Sequence, residues 1–106
     1  MNYRLMRLIV FFDLPTVTAA EKREYIQFRK FLLRDGFFMV QESVYCRLSQ
    51  NQAAANALIS HIKKNKPSAG IVQILMVTEK QYMGMEMVIG EKHTDVIDSA
   101  ERLIEL

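Results

Sequence analysis

A single cysteine, Cys46, stands among 106 residues, so no intrachain disulfide can form, and no Cys/His cluster has the spacing of a structural zinc site. A reducing cytoplasm is the compartment this implies. Long apolar runs are missing too: nowhere do about 18 apolar residues follow one another without a charge, which excludes a membrane-spanning helix. The first residues lead into a short apolar run ended by Asp13, with no small-residue cleavage site, and read as a strand rather than a signal peptide. Charge of either sign is not in large excess. A net charge of +2 permits a nucleic-acid partner without arguing for one, so the distribution of the charges must decide. Linkers, internal repeats, low-complexity segments and a glycine-rich ligand loop are all missing. What remains is an ordinary globular mixture, 50% hydrophobic and 25% charged, of a length that suits one domain.

Leu8-Ile9-Val10-Phe11-Phe12 is a β-branched and aromatic run halted by Asp13-Leu14-Pro15-Thr16, which predicts a buried central strand. Thr16 or Thr18 can cap a helix, and Glu21 stands three residues after Thr18 as in a capping box. In that helix Tyr25, Phe28, Phe31, Leu32 and Leu33 form an apolar stripe, while Arg23, Gln27, Lys30 and Arg34 mark the opposite, basic face. Asp35-Gly36 supplies its stop. Phe37–Val40 and Ser43–Leu48 read as two strands joined at Gln41-Glu42, or as one bent strand. Ser49-Gln50-Asn51 can cap a second helix from about Gln52 to Lys64, with Ala54, Leu58, Ile59 and Ile62 on its inner side. After the Pro67 and Gly70 break, Ile71–Thr78 is another buried strand.

The order β-α-β-β-α-β is that of an α+β, ferredoxin-like domain with both helices on one face of a four-stranded antiparallel sheet. Its strands are apolar on both sides, so the other sheet face needs a cover, and a homodimer supplies it economically. Residues 1–80 form this core and 81–106 a C-terminal extension of the same domain. In the extension Gln81–Met85 is a turn or short helix, Glu86–Gly90 a fifth strand, and Arg102–Leu106 either a sixth strand or part of a helical end from Val96. Met83, Met85 and Met87 mark it as an interface, because methionine adapts to varied partners.

Three segments, Met6-Arg7-Leu8-Ile9-Val10-Phe11-Phe12-Asp13-Leu14-Pro15-Thr16, Phe28-Arg29-Lys30-Phe31-Leu32 and Gln41-Glu42-Ser43-Val44-Tyr45, together resemble CRISPR-associated protein two, the small adaptation subunit. Val77-Thr78-Glu79-Lys80-Gln81 and Gly90-Glu91-Lys92-His93-Thr94 resemble its form in type II-A systems. The resemblance implies a homodimer whose C-terminal strands cross to the partner and help attach two dimers of the spacer integrase, which joins the DNA ends. It also implies a possible alternative, a metal-dependent nuclease acting on RNA or double-stranded DNA through the aspartate that ends the first strand. A small-molecule regulatory domain of the same fold is a third reading, and lacks a ligand loop to support it.

Candidate residues follow. Asp13 should be exposed at the end of the sheet, where aspartate is also a common turn former. The resemblance implies that two such aspartates face each other across the dimer axis and share Mg2+, a cation that takes oxygen ligands. Lys22, Arg23, Arg29, Lys30 and Arg34 can meet the phosphates of prespacer double-stranded DNA without reading sequence, or form a solvated helix face. Lys63, Lys64 and Lys66 are a second basic cluster, where cations also suit the helix dipole. Alternation along a strand would put Ser43 and Tyr45 on one side, toward a dimer partner or the Asp13 region. Some nuclease-active members of the family resembled carry an arginine near Met39, and methionine cannot bind phosphate. His61, mid-helix, and His93, in a polar loop, are not placed for acid–base work.

Overall fold

The computed structural model describes residues 5–90. The elements are β1 (Met6–Asp13), α1 (Ala19–Arg34), β2 (Phe38–Gln41), β3 (Val44–Ser49), α2 (Gln52–Lys64), β4 (Ile71–Thr78) and the short α3 (Glu79–Met83). The strands make one antiparallel sheet in the order β2-β3-β1-β4, the mixed α+β arrangement expected from the sequence.

Local chemistry sets the boundaries. Thr18 caps α1 with its hydroxyl, which accepts from the Glu21 N–H at 3.1 Å, while Glu21 Oε1 accepts from the N–H groups of Thr18 and Val17. Asn51 Oδ1 caps α2 by accepting from Ala54 N–H at 2.8 Å. Past the end of α1, Gly36 takes φ +91°, and a Cβ there would lie 2.7 Å from Arg47 Nη1. Arg47 Nη1 itself donates to the Asp35 carbonyl, closing the α1–β2 corner.

Alternation divides each strand between two faces. From β1, Leu8, Val10 and Phe12 enter the core with Phe28 and Leu32 of α1, Ala55 and Ile62 of α2, and Tyr45 of β3. Phe12 organises the aromatic part of it, edge-on to Phe28 at 5.3 Å and tilted against Tyr45 at 5.6 Å. Two expected inner positions move outward. Leu33 is exposed, because it turns away from the stripe formed by Phe28 and Leu32, and α2 buries Ala55 instead of Ala54.

The second sheet face carries Arg7, Ile9, Phe11 and Asp13 of β1 beside Leu48 and Cys46 of β3 and Ile71 and Leu75 of β4. At one end α3 folds over it, with the Glu79 N–H donating to the Leu5 carbonyl and the Tyr82 ring 4.2 Å from the Arg7 guanidinium. Beyond that cover, Phe11 (37% exposed), Leu48 (38%), Leu75 (50%) and Ile71 (57%) remain open. Residues 85–90 form no strand. The fifth strand expected over Glu86–Gly90 is therefore not formed within the described chain, where no sheet edge is paired to it. The strand or helix expected within 96–106 lies outside the described residues, as does His93. No helix among the described residues is long and apolar enough to cross a membrane.

Candidate nucleic-acid interface and the Asp13 site

Asp13 closes β1 opposite Ile71 and is exposed on the second sheet face, two residues from Phe11 on the same side. Its position depends on a close approach behind it. Gly70 takes φ +96°, and a Cβ on it would lie 2.7 Å from the Asp13 carbonyl oxygen. Among the described residues no group of three or more His, Cys, Asp or Glu is gathered to hold a metal ion. Each chain brings one Asp13 carboxylate to this point, and a second Asp13 requires a second chain.

Tyr45 is not part of this neighbourhood. It pairs with Val10 in β3 and is buried on the helix side of the sheet, whereas Asp13 is on the opposite side. Its hydroxyl accepts from Arg29 Nε at 2.9 Å. Ser43 is not in the strand at all: it sits in the β2–β3 turn with φ +65°. The alternation that would have joined Ser43 and Tyr45 fails because the turn claims one of them. Met39, at the edge of the sheet, is exposed beside Tyr45 in register.

The five basic residues of α1 are all exposed, and the structure separates them. Arg23, Lys30 and Arg34 follow one another along the outward surface, while Arg29 lies on the flank that reaches Tyr45. Lys63 and Lys64 end α2 and Lys66 begins the following connection. Lys66 shares a groove with Arg34, bounded by Glu24, Gln27, Phe31 and Ser68. Sequence reading had no means of joining Arg34 to Lys66, since the two sit on elements brought together only by the fold. His61 is exposed, with Nδ1 3.2 Å from Asp35 Oδ2 and its ring edge-on to Phe31.

Glu24 ties the same region together. Its carboxylate accepts from the Ser68 N–H at 3.0 Å and from the Ser68 hydroxyl at 2.9 and 2.8 Å. These donors, the backbone N–H first, hold its carboxyl below the ordinary 4.5.

The family model described as CRISPR associated protein Cas2 matches residues 6–85. A CRISPR-associated endoribonuclease Cas2 of Treponema denticola is 48% identical over 101 residues, spanning 95% of this chain and 100% of its own length. Proteins of the same name from Streptococcus mutans and Ligilactobacillus salivarius are each 46% identical over 99 residues, spanning 93% of this chain and 91% and 98% of their own lengths.

Proposed function

Because the chain belongs to the CRISPR-associated Cas2 family, we propose that it is the homodimeric hub of a CRISPR adaptation complex in the cytoplasm, holding prespacer double-stranded DNA while two flanking integrase dimers act at the DNA ends. The observation that carries this reading is the second sheet face. Phe11, Leu48, Ile71 and Leu75 leave exposed apolar side chains there on three neighbouring strands, with Gln73 between Ile71 and Leu75, and a second copy would remove them from water. A two-fold axis through that face duplicates Arg23 and Lys30 on the outer surface, in a symmetry that suits a duplex. Sedimentation should give a dimer mass for the wild type and a monomer for Leu75→Glu. Duplex binding should be weakened about equally for unrelated sequences by Arg23→Ala with Lys30→Ala, with a flatter salt dependence. A wild-type monomer at micromolar concentration would overturn the reading.

A second reading has its own observation. Asp13 stands at the rim of the face proposed to pair, so each copy would bring one carboxylate to it. The relatives are named endoribonucleases, and paired Asp13 residues would hold Mg2+, which as a Lewis acid polarises a phosphoryl oxygen. Asp13 would contribute the charge that holds the ion. Among the described residues no group of three or more His, Cys, Asp or Glu is gathered that could hold the ion within one chain. Asp13→Ala should abolish any magnesium-dependent cleavage of RNA or DNA and leave dimer mass and spacer acquisition intact under the hub reading. Loss of acquisition with assembly preserved would favour the nuclease instead.

A further inference from the structure

We propose that the groove between α1 and the α2–β4 connection seats one unpaired nucleotide of a single-stranded nucleic acid, its phosphate between Arg34 and Lys66 and its base over Phe31. The groove holds about 550 Å³, within the range of about 300–1,000 Å³ usual for small-molecule sites. Glu24, Gln27, Phe31 and Arg34 line its α1 wall at steps of three, four and three, a single helical stripe roughly 15 Å long at 1.5 Å per residue. Lys66 and Ser68 line the facing wall.

The chemistry along that stripe is graded. At one end Glu24 is ionised and fixed by Ser68, which pins the connection to α1 and keeps the groove formed before anything enters. A phosphate is repelled there. At the other end Arg34 and Lys66 form no ion pair among the described residues, so an anion meets two positive groups without displacing an acidic partner. Between the ends are an amide, Gln27, and a half-buried ring, Phe31, near-parallel to Phe28 at 6.2 Å and T-shaped to His61 at 5.1 Å, with Phe28 also bordering the groove. An aromatic ring fixed by its neighbours and bordering a groove is a platform for a base, and base stacking on aromatics tolerates any sequence. The Glu24 carboxylate, which has about four acceptor positions, and Gln27 then face the hydrogen-bonding edge of that base.

A duplex cannot use this site in the same way. Its bases are stacked inside the helix and offer only their edges in the grooves, so no base face can lie on Phe31, and the groove separates single strands from the duplex proposed for Arg23 and Lys30. The site also lies within one chain, on the helix side of the sheet, and does not rest on dimer formation or on Asp13.

The test is fluorescence anisotropy on the full chain with a labelled single-stranded hexanucleotide and a labelled abasic sugar-phosphate of the same length. The base-bearing strand should bind about tenfold more tightly, the size of one stacked base. Arg34→Ala with Lys66→Ala should weaken both probes and reduce the log–log salt slope by roughly 0.7 per lost phosphate contact. Phe31→Leu should erase the preference for the base-bearing strand. Gln27→Ala, at an exposed position, should reduce it as well and keeps the test decisive if Phe31→Leu unfolds. Arg23→Ala with Lys30→Ala should leave hexanucleotide affinity within twofold while weakening duplex binding, so failure of the duplex reading and failure of this one are seen separately. Equal affinity for the abasic and base-bearing strands, or full affinity in the Arg34 and Lys66 double variant, would overturn the proposal.

Discussion

Arg7 of β1 and Glu79 of α3 close a two-pronged ion pair at the end of the second sheet face, Arg7 Nε donating to Oε1 at 2.8 Å and Nη2 to Oε2 at 2.6 Å. The arginine side chain is 3% exposed and the glutamate 23%, and the Tyr82 ring lies against the guanidinium. This pair fixes where the chain goes after β4: α3 turns back over the sheet instead of leaving it. Bidentate contact supplies the geometric specificity that a lysine at position 7 would lack.

Removing Glu79 takes a two-pronged acceptor away from a buried guanidinium, which is a larger loss than the pair's own net contribution. Glu79→Ala should therefore destabilise the fold by about 3 kcal/mol, the lower end of the range for buried pairs because Glu79 keeps some solvent. Replacing both partners, Arg7→Met with Glu79→Leu, should cost less than Glu79→Ala alone. Urea unfolding of the three chains checks the order, and a silent Glu79→Ala would show that water reaches Arg7 freely.

Gly70 controls the backbone behind Asp13. Its φ of +96° and the 2.7 Å approach to the Asp13 carbonyl oxygen are two separate obstacles to any side chain. Gly70→Ala should cost about 1–3 kcal/mol, the scale of strain at sparsely populated backbone conformations. A thermal melt unchanged from wild type would mean that the β4 entry simply shifts away from β1.

Arg29 and Arg23 look alike in the sequence and differ in the fold. Arg29 Nε donates to the Tyr45 hydroxyl, the polar end of a side chain that is 2% exposed. Arg29→Ala should cost about 1 kcal/mol, the net contribution of one hydrogen bond, whereas Arg23→Ala and Lys30→Ala should change stability by less than about 0.5 kcal/mol, as exposed sites do. Duplex affinity should show the reverse order. If Arg29→Ala matches Arg23→Ala in both measurements, Arg29 belongs with the phosphate-binding set after all.

These contrasts mark what the sequence could express. The βαββαβ order, the Thr18–Glu21 capping box and the stop at Asp35-Gly36 are local signals, carried by residues within a few positions of one another, and the structure has them at those places. The two-sided apolar character of β1 and β4 was equally legible, because a period of two with no polar set leaves both faces hydrophobic. Ser43 was misplaced because a turn residue at φ +65° breaks the alternation that strand reasoning assumes. The role of Arg7 was not legible, since its partner Glu79 is 72 residues away. The groove joining Arg34 to Lys66 was invisible for the same reason: only the packing of the α2–β4 connection against α1 brings the two together.

Glu24 gives the last test, through acid stability. Its carboxyl is held below the ordinary 4.5 by the Ser68 N–H first and the Ser68 hydroxyl second, and a carboxyl lowered in the folded chain favours folding only when ionised. The stabilisation is therefore complete above the unfolded value near 4.5 and is lost as pH falls below it through the folded value. Glu21 acts with the same sign, lowered first by the Thr18 N–H and next by that of Val17. Glu24→Gln should consequently lower stability at neutral pH and flatten its decline below 4.5, with the Glu21 share of the slope retained. Ser68→Ala should do so by a smaller amount, because the backbone donor remains. Urea midpoints measured across the acid range for wild type, Glu24→Gln, Ser68→Ala and Glu21→Gln separate the shares. A Glu24→Gln chain that loses stability in acid as steeply as the wild type would show that the Glu24–Ser68 contact is not maintained in solution, and that the connection bearing Lys66 is not pinned to α1.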